Sequence, residues 1–157
     1  MKENDPGKHF LFPGNLHVSS IECQITTVLG SCVAVCLWDN VHRMGGMNHF
    51  MLPLWNGEGL ATPKYGNIAM EKLLERALEI GCRRQYLSAK VFGGANITGT
   101  GREAFMIGDR NIALALQTLD ELKIPVLASD LGGRVGRKII MNTATGVVLM
   151  GKGKQKE

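Results

Sequence analysis

Cys32 and His49 are the two side chains in this sequence placed to share one reaction. Cys32 follows a Leu-Gly-Ser step in VLGSCVAVCLW, and His49 lies seventeen residues on, in MGGMNHFML. A cysteine hydrolase needs a thiol nucleophile, a base within hydrogen-bond reach, and a third group that orients the base. A sharp Gly-Ser turn leaves the backbone N–H groups of Ser31 and Cys32 open to receive an oxyanion. Thr26 and Thr27 offer a hydroxyl that can accept the imidazole N–H and select its tautomer. The imidazole is also expected to lower the Cys32 pKa through an ion pair. Spacing alone does not establish this chemistry, because free cysteine is among the most buried residue types and usually packs as a small hydrophobe. Cys36, between Val35 and Leu37, reads as that kind of cysteine. Cys23 and Cys82 have no histidine to pair with, and His9, His17 and His42 read as solvated side chains in turns or near the terminus.

The elements that must position these residues are readable from periodicity and turn residues. VAVCLW is an unbroken apolar run, which suits a strand buried on both faces or a short buried helix segment. DNVHR turns the chain, and MGGMNHFML returns as a strand whose paired glycines allow close backbone contact. Residues opposite each other on such strands lie within about 5.5 Å. HFLFPGNLHVS reads as two short strands around a Pro-Gly-Asn turn, and CQITTVL as a β-branched strand. NIAMEKLLERALEIG is the clearest helix, with Ile68, Leu73, Leu74, Ala77 and Leu78 near one face and Gly81 as its stop. A second helix is expected over DRNIALALQTLDEL, with Ile112, Leu116 and Leu119 on its apolar side. QYLSAKVF and PVLAS read as strands, and KIIMN-TATG-VVLM as a closing hairpin. Met44, Met47, Met51 and Met106 are expected in the core. Many strands and two good helices predict an α+β domain.

The bulk numbers bound the function. A chain of 157 residues fits one domain. The net charge of +4 comes from scattered basic residues, which does not point to nucleic acid. No run reaches the roughly 18 apolar residues of a membrane span, and MKENDPGKHF lacks a signal-peptide core. A cytoplasmic protein with free thiols is therefore expected. The four cysteines form no CxxC pair, so neither zinc nor another metal is expected. FGGANITGTGR lacks the ending of a phosphate-binding loop. Its glycines, with those of DLGGRVGRK, instead suit loops bordering a cleft or meeting a partner, with Gly93, Gly94, Asn96, Arg134 and Arg137 as the residues involved. Arg137 is expected at the surface.

In order along the chain stand FPGNLHVS, TTVLGSCVAV, GGMNHFMLP, YGNIAMEKLL, KVFGGANI, IGDRN and DLGGRVGRK. In these motifs the chain resembles the CheD family, the chemoreceptor glutamine deamidases of chemotaxis, from about residue 9 to 151. The resemblance implies Cys32 as nucleophile, His49 as base, and Thr26, six residues before the cysteine, as the third member. It implies a layered sandwich of mixed β-sheets flanked by helices, akin to a deamidating bacterial toxin. The implied reaction converts glutamine side chains of methyl-accepting chemoreceptors to glutamate with release of ammonia, without a cofactor. Implied partners are the receptors' cytoplasmic domains and CheC, a phosphatase, with the protein peripheral at chemoreceptor arrays. Two alternatives stay open: a regulator of CheC with little activity, and a methylesterase on receptor glutamate esters. One domain over 9–151 is expected, with a flexible 1–8, a flexible Lys-rich 152–157, and a monomer in solution.

Overall fold

The computed structural model of the protein describes residues 7–97 and 102–154. The start of the N-terminal stretch, the ITGTG end of the glycine-rich loop and the last residues of the tail lie partly or wholly outside the described residues. In chain order the described elements are β1 (Lys8–Phe10), β2 (Leu16–Ser19), β3 (Gln24–Leu29), β4 (Val33–Asp39), β5 (Met44–Asn48), α1 (Gly66–Glu79), β6 (Leu87–Gly93), α2 (Arg102–Glu121), β7 (Val126–Leu131), β8 (Arg137–Asn142) and β9 (Val148–Lys152). Lys8 thus belongs to a strand, although its polar neighbours suggest a loose segment.

Two sheets form. One has the order β1-β3-β8-β9, the other β2-β5-β4-β6-β7. Both are mixed: β1 runs parallel to β3 and β6 parallel to β7, while the other pairs are antiparallel. β4 is buried along almost its whole length because it has a layer on each side. Val33, Val35 and Leu37 join Ala69, Leu73, Ala77, Ala115 and Leu119 in a core between sheet and helices. Ala34 and Cys36 point the other way and join Met47 and Phe92 against Ile25, Leu29, Ile139 and Met141 of the four-stranded sheet. The molecule is therefore layered as helices, five-stranded sheet, four-stranded sheet. The expected α+β sandwich is the observed one, with both helices on a single face.

The paired glycines of β5 do what their place predicts. A Cβ at Gly45 would strike the Leu37 backbone, and one at Gly46 the His17 backbone. α1 ends in a Schellman motif, with Gly81 at φ 117°, its N–H on Leu78 O and the Cys82 N–H on Ala77 O. Both helix faces are rotated from the expected ones. In α1 the buried positions are Gly66, Ala69, Met70, Leu73 and Ala77, while Leu78 is exposed; in α2 Gly108, Asn111, Ala115 and Leu119 are buried, while Leu116 is exposed. α2 also starts seven residues earlier than its clear periodicity suggests, at Arg102. Gly108 hides that first part, since glycine disfavours helix interiors. Here it is required: a Cβ on it would lie 2.7 Å from Gly94 O.

Candidate active site

The chain crosses from one sheet to the other at Gly30-Ser31-Cys32. β3 ends at Leu29 in the four-stranded sheet, and β4 begins at Val33 in the five-stranded one. Cys32 is half-buried at this crossing, and the other three cysteines are buried. The pairs Cys36↔Met47 and Val33↔Phe50 set the register of β4 on the segment after β5. That register puts Ala34 across from His49 and Cys32 across from Met51. Alternate residues share a face, so Cys32 and His49 are diagonal neighbours on the side turned toward the four-stranded sheet. They do not face each other directly. Ala34 is the small residue that leaves the imidazole room between them.

His49 is 1% exposed and is held by its backbone as well as its ring. Its N–H donates to Asn15 O and its carbonyl accepts from the Gly14 N–H. Next to it, Asn48 accepts the Val35 N–H on Oδ1 at 2.9 Å and donates from Nδ2 to Ala69 O of α1 at 3.2 Å. A side chain thus supplies the acceptor that a strand neighbour's carbonyl usually gives.

The hydroxyl at His49 belongs to Thr27, not Thr26. Thr27 is fully buried, and its Oγ1 lies 2.7 Å from His49 Nδ1 and 2.7 Å from Leu11 O. Thr27 shares its face with Ile25 and Leu29, all three buried, whereas Thr26 shares the outer face with Gln24 and Val28. The apolar residues two positions either side of Thr27 carried this information in the sequence. The two contacts also fix the tautomer. The hydroxyl has one proton, and the Leu11 carbonyl can only accept it. Thr27 Oγ1 must then accept from His49 Nδ1–H, which leaves the lone pair on Nε2. Nε2 is buried and makes no hydrogen bond among the described residues.

Burial decides the charges. It pushes the His49 pKa down from 6.5 to about 4. It pushes the Cys32 thiol up from 9.0, only partly opposed by the residue's own backbone N–H dipole. The resting pair is a neutral thiol beside a neutral imidazole, and the lowered thiol pKa expected from an ion pair is corrected. Burial outweighs pairing because each charge would be taken out of water.

The glycine-rich loops meet this site through backbone. Gly94 N–H donates to Cys32 O at 2.8 Å, Ala95 N–H to Gly30 O at 2.9 Å, and Asn96 N–H to Gly133 O at 2.8 Å. Gly93 has φ 113°, and a Cβ there would strike Cys32 O. Arg134 is exposed. Arg137 is not at the surface: it is 3% exposed, donating from Nε to Asp130 Oδ1 and from Nη2 to Gly132 O, both at 2.8 Å. The positive charge at 137 is neutralised within the fold and ties the end of β7 to β8. Met44 and Met47 are in the core as expected, but Met51 is exposed, and the Met106 side chain lies outside the described residues. His9 and His17 are not simply solvated, since their rings stack 3.9 Å apart. Nor is His42 free: its Nδ1 lies 2.9 Å from the buried Asp39 carboxylate.

One residue at the site has no catalytic signature in sequence. Asn111 of α2 is fully buried and donates from Nδ2 to Ser31 O and to Met51 O, each at 3.1 Å. Its signals are a polar residue in the stripe that continues through Ala115 and Leu119, and its place at the end of the IGDRN motif.

The family model described as CheD chemotactic sensory transduction matches residues 51–152. The chain belongs to the CheD family. It is 71% identical over 94% of its length to a protein of Trichlorobacter lovleyi named "Probable chemoreceptor glutamine deamidase CheD", covering 92% of that relative. A Sulfurimonas denitrificans protein of the same name is 46% identical over 91% of this chain and 92% of its own. An Anaeromyxobacter dehalogenans relative, named "Probable chemoreceptor glutamine deamidase CheD 1", is 49% identical over 87% of this chain and 80% of its own. The family model's match begins past Cys32 and His49. The Trichlorobacter alignment, 148 residues long, leaves too few residues outside it to miss either one.

Proposed function

We propose that this protein is a cysteine-dependent protein-glutamine deamidase acting on the cytoplasmic domains of chemoreceptors. The observation that carries this reading is the fixed tautomer of His49: a buried, unpartnered Nε2 lone pair on the same face as the half-buried Cys32. Deamidation follows from these parts. Cys32 Sγ attacks the carboxamide carbon while its proton moves to His49 Nε2. The Cys32 and Ser31 N–H groups stabilise the oxyanion. His49 returns the proton to the departing nitrogen, and ammonia leaves. The same Nε2 then deprotonates water, which hydrolyses the thioester to glutamate and regenerates the thiol. Thr27 accepts from Nδ1 throughout, so the ring needs no reorientation.

The names of the relatives supply the substrate class, and the half-exposed position of Cys32 at a sheet-to-sheet crossing suits a side chain presented by a folded helix. Among the described residues no helix is long and apolar enough to cross a membrane. The same reading places the protein as a monomer at chemoreceptor arrays, with CheC as a second partner. The test is incubation with chemoreceptor cytoplasmic fragments, read by peptide mass and ammonia. A glutamine-to-glutamate change with ammonia, lost in Cys32→Ala, is the expected result. Methanol without ammonia would make the protein an esterase, and no modification of any fragment would sink both.

A further inference from the structure

We propose that Asn111 is a positioning residue that aims the oxyanion donor of Cys32. The inference rests on the cysteine-hydrolase reading, but its test does not need the natural substrate. The peptide joining Ser31 to Cys32 is planar and trans, so its C=O and N–H point in opposite directions. Asn111 Nδ2 holds Ser31 O at 3.1 Å from the α2 side. The Cys32 N–H of the same plane is thereby turned away from α2. It belongs to the nucleophile's own residue, from which it can donate to the oxyanion formed when the sulfur attacks. The second proton of the same amide goes to Met51 O at 3.1 Å, on the residue across from Cys32 in the register. One side chain thus ties the nucleophile's turn to the segment that carries the base.

The amide orientation is settled by its partners, since two carbonyls demand the nitrogen. Its Oδ1 is buried and has no partner among the described residues, so the donors are what the site uses. Gly94 and Gly108 let α2 come close enough, because a Cβ on Gly108 would meet Gly94 O at 2.7 Å. Asn111 lies three residues beyond Gly108, on the same helix face.

The test compares two reactions of Cys32 in wild type and Asn111→Asp, a change that keeps the shape and removes both donors as the carboxylate, or one of the two as the neutral acid. Acylation by p-nitrophenyl acetate passes through an oxyanion. Alkylation by iodoacetamide displaces iodide and forms none. Acylation should fall about 10–10²-fold, less than the 10²–10³-fold cost of deleting an oxyanion donor outright. Alkylation, and its pH profile, should stay within about twofold by the same reasoning, since no oxyanion donor is involved. Asn111→Ala, which introduces no charge, should show the same split and serves if the aspartate variant does not fold. Equal losses in both reactions would reduce Asn111 to a structural role. No loss in either, or a wild type that cannot be acylated, would overturn the proposal. If the split holds while wild type leaves receptor fragments unchanged, only the deamidase reading fails.

Discussion

His49 sets the pH behaviour of the protein. With its pKa at about 4 and the Cys32 thiol above 9.0, both groups hold their reactive protonation states across the range between. The pH profile of kcat/KM should therefore be a broad plateau, with its acid limb near 4 and no inflection near 6.5. A fall centred on 6.5 would mean the ring is hydrated. Stability follows the same proton. In the fold His49 binds fewer protons than an unfolded histidine between about 4 and 6.5, so its contribution is complete above 6.5 and lost as the pH falls toward 4. At 1.36 kcal/mol per unit this is worth about 3 kcal/mol as an upper bound, measurable by urea melts across that range. Burial moves the thiols the other way, Cys36 to about 12 and Cys82 to about 11, so stability should also decline as the pH rises past 9. Thr27 acts only by orienting a neutral ring. Thr27→Ala should cost less than His49→Ala, whose loss removes a base worth about 10²–10⁴-fold. Thr27→Ser should retain most activity, and Thr26→Ala should be nearly silent. An inactive Thr26→Ala would invert the assignment.

At the scale of elements, alternation, turn residues and, for β4 with a layer on each side, an unbroken apolar run announced the described strands. Parity across the two adjacent threonines was legible too, since Ile25 and Leu29 mark the inner face; the expected Thr26 came from the resemblance, by its six-residue distance from Cys32. Arg137, by contrast, was hidden. Its partners, Asp130 and Gly132, lie on the other sheet's last strand and the loop after it, and no local pattern brings them together. This changes what a substitution there reports. Arg137→Ala should cost about 1.5–3 kcal/mol in denaturant unfolding, the worth of hydrogen bonds to a charged group. Arg134→Glu, at an exposed position of the same loop, should leave stability alone and test partner contact cleanly. A fully stable Arg137→Ala would show that the ion pair contributes nothing.

Seen as one molecule, the protein divides its site between layers. Cys32 and His49 flank strands of the five-stranded sheet, β4 and β5, and Thr27 belongs to the four-stranded one. The two cores should therefore respond differently to the same kind of damage. Leu73→Ala, between helix and sheet, and Ile139→Ala, between the sheets, should each cost about 2–5 kcal/mol. Compared at a temperature where both stay folded, Ile139→Ala should lose turnover as well, because its cavity loosens Thr27 against His49. Equal kcat values in the two variants would show that the sheets hold their relation without that packing. The neutral resting thiol has one more consequence, in the chemistry of oxidants. Peroxide attacks thiolate, not thiol, so a half-buried cysteine whose pKa is raised is slow to become a sulfenic acid. The protein meets oxidative stress with its nucleophile in the resistant form, and exposes the vulnerable one only for the moment of attack on an amide.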